Sequence, residues 1–235
     1  MRTAAGFVLA TAMMMATAGS HAGESEYEMT TFQFALLKDG PRRDAIQGEQ
    51  AEAQQVAHLA FLESLVTAGQ VLAVGPVEDA APVRGVVVLT VGSVEKAREI
   101  LAGDPWIRAG HLAAEIHTWW AAKDILQPAF STTSLAPCWL GLLKRPADAP
   151  EFSAEKLKVL QEGHMANIKA MAASGDLVIA GPMGEDGVLR GIFLFRTGDE
   201  EEVRALVNRD PSIQANRLEM ELVRWYLPEG TLPPQ

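Results

Sequence analysis

Shifting the sequence by 106 residues lays one half of the chain on the other, without a gap, over some ninety residues. Leu36-Leu37-Lys38 falls on Leu142-Leu143-Lys144, His58 on His164, Gly69 on Gly175 and Gly75-Pro76 on Gly181-Pro182. Arg84-Gly85 falls on Arg190-Gly191, Asp104-Pro105 on Asp210-Pro211, Glu115 on Glu221 and Trp119 on Trp225. A register kept through loops as well as apolar runs marks a duplication, so the chain folds as two copies of one small unit.

The pattern inside one copy predicts its elements. Residues 30–38 are rich in β formers and predict a strand, broken by Gly40-Pro41. Residues 49–68 predict a helix, with Val56, Leu59, Leu62 and Leu65 at helical spacing and Gly69 placed to cap it. A short strand over 71–74 is expected to stop at Gly75-Pro76, and the apolar run 85–91 predicts a buried strand. Ser93 can cap a helix to about residue 102, which Pro105 ends because a residue before proline leaves the α region. Residues 112–120 predict the last strand. The second copy repeats this with strands at 139–144, 177–180, 191–195 and 218–226. Its helices start at Ser153 and Asp199, the latter with Glu200, Glu201 and Glu202 at its positive end.

The order β-α-β-β-α-β is the split-βαβ, ferredoxin-like arrangement of an α+β protein. The helices of one unit cover one face of its sheet, and the other face needs a cover. Two joined units are therefore expected to form a pseudo-dimer within one chain, as a monomer, or to pair with a second chain as a homodimer. The expected boundaries are 23–126 for the first unit, 127–137 for a linker carrying Pro128, Pro137 and Ser131-Thr132-Thr133-Ser134, and 138–235 for the second.

Residues 1–22 read as a signal peptide: Arg2, a small apolar stretch over 4–18, then Ser20-His21-Ala22. The stretch is short of the roughly 20 residues of a membrane span. The expected location is periplasmic or secreted, with no membrane attachment after cleavage. A net charge of −10 argues against nucleic acid as a partner. A single cysteine, Cys138, rules out an intramolecular disulfide and a multi-thiolate metal site. It lies in an apolar run and is expected to be a buried, inert thiol. No metal and no cofactor are expected; the expected partner is a small-molecule ligand.

Two pairs of residues could carry chemistry. His58 and Asp104 are 46 residues apart, as are His164 and Asp210. In the second copy Leu157, Leu160, His164, Ile168 and Met171 form one helical stripe, which puts the imidazole in line with core-facing residues. A carboxylate brought to such an imidazole would hold its tautomer, the arrangement of a general acid or base. The structural alternative is a satisfied core histidine and a turn-forming aspartate. Gly75-Pro76 and Gly181-Pro182 read first as turn formers and second as places where backbone approaches a ligand. Arg84 and Arg190 suit a clamp for a carboxylate or phenolate, or are solvated charges. His111 and His117 align with Arg217 and Val223 and read as incidental. Trp106, Trp119, Trp120, Trp139 and Trp225 read first as core and second as walls of an aromatic pocket.

Taken in order, a histidine in the first helix, a helix-ending glycine, a Gly-Pro pair and an Asp-Pro pair resemble the YciI-like, or YCII-related, family. Here they are His58, Gly69, Gly75-Pro76 and Asp104-Pro105, then His164, Gly175, Gly181-Pro182 and Asp210-Pro211. The resemblance covers nearly all of the chain after residue 22, twice. It implies ferredoxin-like units paired into a dimeric α/β barrel, and a cleft with a His–Asp catalytic pair. A few relatives are dehydrochlorinases acting on chlorinated hydroxyquinones. Family members are usually single intracellular units, so duplication and export are departures. The family pattern has an aromatic after Asp-Pro and a later glycine. The first copy has Trp106 and Gly110; the second has Ser212 and Asn216. Catalytic residues are thus expected at His58 and Asp104 and, as a second site whose surroundings depart from the family pattern, at His164 and Asp210. The expected function is a small-molecule enzyme moving a proton or eliminating a leaving group from an aromatic or carbonyl compound. The alternative is a non-catalytic small-ligand-binding protein of the cell envelope.

Overall fold

The structure, a computed structural model, describes residues 28–196 and 199–234; the expected signal peptide lies outside them. The first unit runs β1 (Met29–Asp39), α1 (Gly48–Thr67), β2 (Val71–Glu78), β3 (Val83–Leu89), α2 (Val94–Leu101), α3 (Pro105–Arg108) and β4 (Leu112–Ala122). The second runs β5 (Leu135–Lys144), α4 (Ala154–Ala173), β6 (Leu177–Pro182), β7 (Leu189–Phe195), α5 (Glu200–Val207), α6 (Pro211–Gln214) and β8 (Glu219–Pro228). Four features differ from the sequence expectation. Asp104-Pro105 and Asp210-Pro211 do more than end a helix: proline at the first helical position and aspartate before it start the short helices α3 and α6. β2 runs through Gly75-Pro76 to Glu78. β5 starts at Leu135, so residues 135–137 of the expected linker belong to the first strand of the second unit. Val56 is 69% exposed, because the buried stripe of α1 is His58, Leu62 and Leu65.

The strands form one antiparallel sheet in the order β4-β1-β3-β2-β8-β5-β7-β6. Each half has the 4-1-3-2 order of a ferredoxin-like unit, and the halves join edge to edge. β2 pairs with β3 as far as Pro76↔Gly85 and then with β8 at Val77↔Trp225 and Glu78↔Arg224. The proline sits where the strand changes partner, a position at which a missing N–H removes little from either ladder. On the opposite side Trp119 bridges to Met183, and the Gly184 N–H donates to the Thr118 carbonyl at 2.8 Å. The sheet is thereby nearly closed into a barrel, and the two units form the pseudo-dimer.

Alternation along each strand divides the core in three. Phe32, Phe34 and Leu36 of β1 point into the barrel with Cys138, Leu140 and Leu142 of β5. Ala35 and Leu37 point out, under α1 and α2, against Leu62, Leu65 and Leu101. Trp139 and Leu143 do the same under α4 and α5, with Met171 and Val203. Strands buried on both faces explain why their sequences are continuous apolar runs. No helix among the described residues is long and apolar enough to cross a membrane.

Candidate functional site

His58 lies one turn before Leu62 and two before Leu65, so α1 turns it inward with its apolar stripe. Asp104 comes from the N-cap of α3 and divides its oxygens. Oδ1 accepts the Trp106 backbone N–H at 2.8 Å, and Oδ2 lies 2.7 Å from His58 Nδ1. The second unit repeats this: Asp210 Oδ1 accepts the Ser212 N–H at 2.8 Å and Oδ2 lies 2.5 Å from His164 Nδ1. All four side chains are buried. An ionised carboxylate has no proton to give, so Nδ1 donates and the neutral ring keeps Nε2 as an acceptor. That is the form of a general base.

The surroundings of the two pairs differ. In the first unit the Trp106 ring stacks on His58, with centroids 4.7 Å apart and planes at 11°, and the His111 ring is tilted against Trp106 at 4.5 Å. Trp106 Nε1 and His111 Nδ1 are buried without a hydrogen-bond partner. In the second unit Ser212 stands where Trp106 would, too small to reach the imidazole, and its hydroxyl donates to the Leu160 carbonyl at 3.3 Å. There His164 borders a cavity of about 490 Å³. Met165 and Ile168 of α4, Ile179 of β6 and Phe193 of β7 wall it, and Met29 and Ile125 reach it from the first unit. The aromatic after Asp-Pro, which pointed to the first site, stacks on the histidine of that site. Asn216 keeps the left-handed backbone of Gly110, with φ of 54° against 75°, so the two turns match despite the exchange.

The other expected ligand contacts divide. Arg84 is engaged inside the protein: Nε and Nη2 donate to the two Asp39 oxygens at 2.7 and 2.8 Å. The Arg84 hydrogen bond is the main cause that holds the Asp39 carboxyl below the usual carboxylate range. Arg190 borders the cavity and donates to the exposed Asp186 at 2.8 Å. Gly75 and Gly181 bring backbone close to the other unit. A Cβ on Gly75 would sit 1.8 Å from the Tyr226 carbonyl oxygen, and one on Gly181 would sit 1.7 Å from that of Trp120. Trp225 Nε1 donates to the Gly75 carbonyl and Trp119 Nε1 to the Gly181 carbonyl, both at 3.1 Å. Pro76 belongs to this seam; Gly181 and Pro182 also border the cavity. The sequence reading did not assign Trp119 and Trp225 to the seam. Their alignment at the repeat offset, with a Gly-Pro pair likewise repeated, was the available signal. Burying each indole contributes at most roughly 4–6 kcal/mol, so these two residues hold the halves together.

Cys138 lies in the barrel interior, and burial pushes its thiol up to about 12. Among the described residues no group of three or more His, Cys, Asp or Glu side chains is placed to hold a metal ion.

In fold, the chain is similar to a mutant chlorite dismutase from Candidatus Nitrospira defluvii in complex with cyanide. The TM-score is 0.55 at 13% identity, over 86% of this chain and 92% of that one. It is also similar to a heme-binding protein from Thermus thermophilus, with TM-score 0.52 at 14% identity, over 85% and 93%. At such identities the likeness is one of fold, the dimeric α/β barrel. No curated protein matches the sequence. The model of the YCII-related domain matches residues 32–120 and again 142–226, so the chain belongs to the YCII-related domain family and carries the domain twice.

Proposed function

We propose that the protein is a small-molecule enzyme working at the second unit, with His164 as general base and Asp210 as the group that orients it. The cavity beside His164 carries this reading. Its volume lies within the roughly 300–1,000 Å³ of small-molecule sites, and its walls are mostly apolar. A substrate seated there would present an acidic C–H or O–H to Nε2. The ring takes the proton, and Asp210 stabilises the imidazolium that results. The electron pair left on the substrate enters an adjacent carbonyl or expels a leaving group, which gives isomerisation or elimination. His58, covered by Trp106, holds its fold in the same way and takes no substrate.

The test is turnover on a panel of quinones, chlorinated hydroxyquinones and lactones. His164→Gln is expected to lower kcat by about 10²–10⁴-fold, while His58→Gln leaves it within about threefold. Equal turnover in wild type and both variants would refute the assignment. Saturable binding without turnover in any of the three would make the protein a binding protein that uses the same cavity.

A second reading follows from the heme-binding protein that shares the fold. A histidine whose Nδ1 is held by a carboxylate is also how proteins orient an imidazole that ligates iron through Nε2. His164, held by Asp210 and beside apolar walls, is the residue that would hold the iron of a heme, which would supply iron chemistry at this cavity. Titration with hemin distinguishes this reading: it predicts a Soret band that His164→Gln abolishes.

A further inference from the structure

The cavity beside His164 does not end at its apolar walls. A second hollow of about 370 Å³ adjoins it, sharing Leu143, Gln161, His164, Pro182 and Arg190. Three arginines border this mouth: Arg145 just after β5, Arg190 on β7 and Arg217 just before β8. Three cations converge in a protein whose net charge is −10. Among the described residues the ion pair made by this trio is Arg190 with Asp186, a carboxylate lying fully in solvent. Arg217 donates to the Gln161 side-chain oxygen at 3.4 Å, and the carboxylate near enough to attract it is Asp210, already held by His164.

The first unit shows what the trio is for. At the repeat offset Arg145 corresponds to Asp39, Arg190 to Arg84 and Arg217 to His111. There the protein supplies its own anion. Asp39 takes the fork of Arg84 and also the Arg43 Nε at 2.7 Å, and Arg43 in turn lies 3.3 Å from His111. In the second unit Arg145 replaces that carboxylate and Ala149 stands at the Arg43 position. The internal anion is gone and the cations remain.

We propose that this mouth takes an organic carboxylate, whose charged end lies among Arg145, Arg190 and Arg217 and whose apolar body fills the cavity beside His164. The inference rests on the second unit being the working site, and it names the substrate class for that site. Guanidinium forks match carboxylate geometry and hold it with paired charge-assisted hydrogen bonds. Burial and the neighbouring Arg145 and Arg190 guanidinia pull the Arg217 pKa down, against a smaller opposing pull from Asp210; a bound anion relieves the repulsion among the three guanidinia. Gln161 borders both hollows one turn before His164 and marks where the charged and apolar parts of the ligand join.

Calorimetric titration of the full chain with 2-naphthoate and with its neutral counterpart 2-naphthamide tests this. The acid is expected to bind on the order of tenfold tighter than the amide at low salt. Arg217→Gln should reduce that preference to near unity. So should Arg145→Asp, which changes an exposed side chain and rebuilds the internal anion of the first unit. Met165→Trp, at a partly exposed wall position, should block both probes. Equal affinity for acid and amide overturns the inference while leaving the site in place, provided Met165→Trp still blocks binding. A preference that survives Arg145→Asp and Arg217→Gln also overturns it. Binding of neither probe, or binding that ignores Met165→Trp, brings down the inference and the choice of site together.

Discussion

The two halves share a backbone plan and the same His–Asp contact, and they part at the mouth of the site. In the first, Trp106 lies flat on His58 while Asp39 ties Arg84 and Arg43 across the opening. In the second, serine replaces the indole, arginine replaces the aspartate, and the histidine borders a hollow that runs out to three guanidinium groups. On the function proposed above, one copy serves cohesion and the other a ligand, and the exchanges that separate them leave the strands and the His–Asp contact in place. The seam is kept in both copies, a glycine carbonyl under an indole N–H on either side of the barrel.

The largest effect is expected where the halves are alike. Gly75→Val and Gly181→Val each drive a side chain into the carbonyl of the opposing strand, and each should cost about 3 kcal/mol or more, read as lost soluble yield and a lower Tm. A loss at one glycine alone would break the picture of a symmetric seam. Next comes the exchange of the residues that differ. Trp106→Ser removes a stack of about 1 kcal/mol together with its buried area, and should make His58 accessible to a small ligand. Ser212→Trp should lower 2-naphthoate affinity at least tenfold, an amount equal to about 1.4 kcal/mol, once circular dichroism shows the fold intact. Unchanged affinity in Ser212→Trp would mean that the indole is not what separates the units.

The smallest effect concerns acid. Asp39 is held below the usual carboxylate range, chiefly by its hydrogen bond from Arg84. A carboxyl with a depressed folded pKa contributes stability above its unfolded value, about 3.9, and loses it as pH falls through the lower folded value. The first unit's mouth therefore stays tied until the pH falls below the ordinary carboxylate range. Asp39→Asn should flatten the acid limb of Tm against pH, whereas Arg145→Asn should not. A parallel change in both variants would remove Asp39 as the source of the difference.

Much of the architecture was legible along the chain. The repeat register implied two copies, and strand and helix periodicities within a copy gave the element order. The apolar run over residues 85–91 pointed to a buried strand. Less visible was what Gly75-Pro76 does. Read locally, glycine and proline end a strand; in space the strand continues because it exchanges β3 for β8 at that point. The short helices after Asp104 and Asp210 were missed for a related reason. An Asp-Pro pair both ends one helix and caps the next, and spacing alone shows only the ending.

The sequence by itself determined that the chain is double, that each half is a β-α-β-β-α-β unit, and that a histidine and an aspartate 46 residues apart recur in both. Only the tertiary structure decided that His164 borders a cavity and that a tryptophan ring stacks on His58. That difference depends on whether Trp106 or Ser212 follows the aspartate and proline, and on Asp39 or Arg145 meeting arginines brought from elsewhere in the chain. These groups are neighbours across the sheet and distant along the chain, and their volumes and charges act only once the backbone has put them side by side.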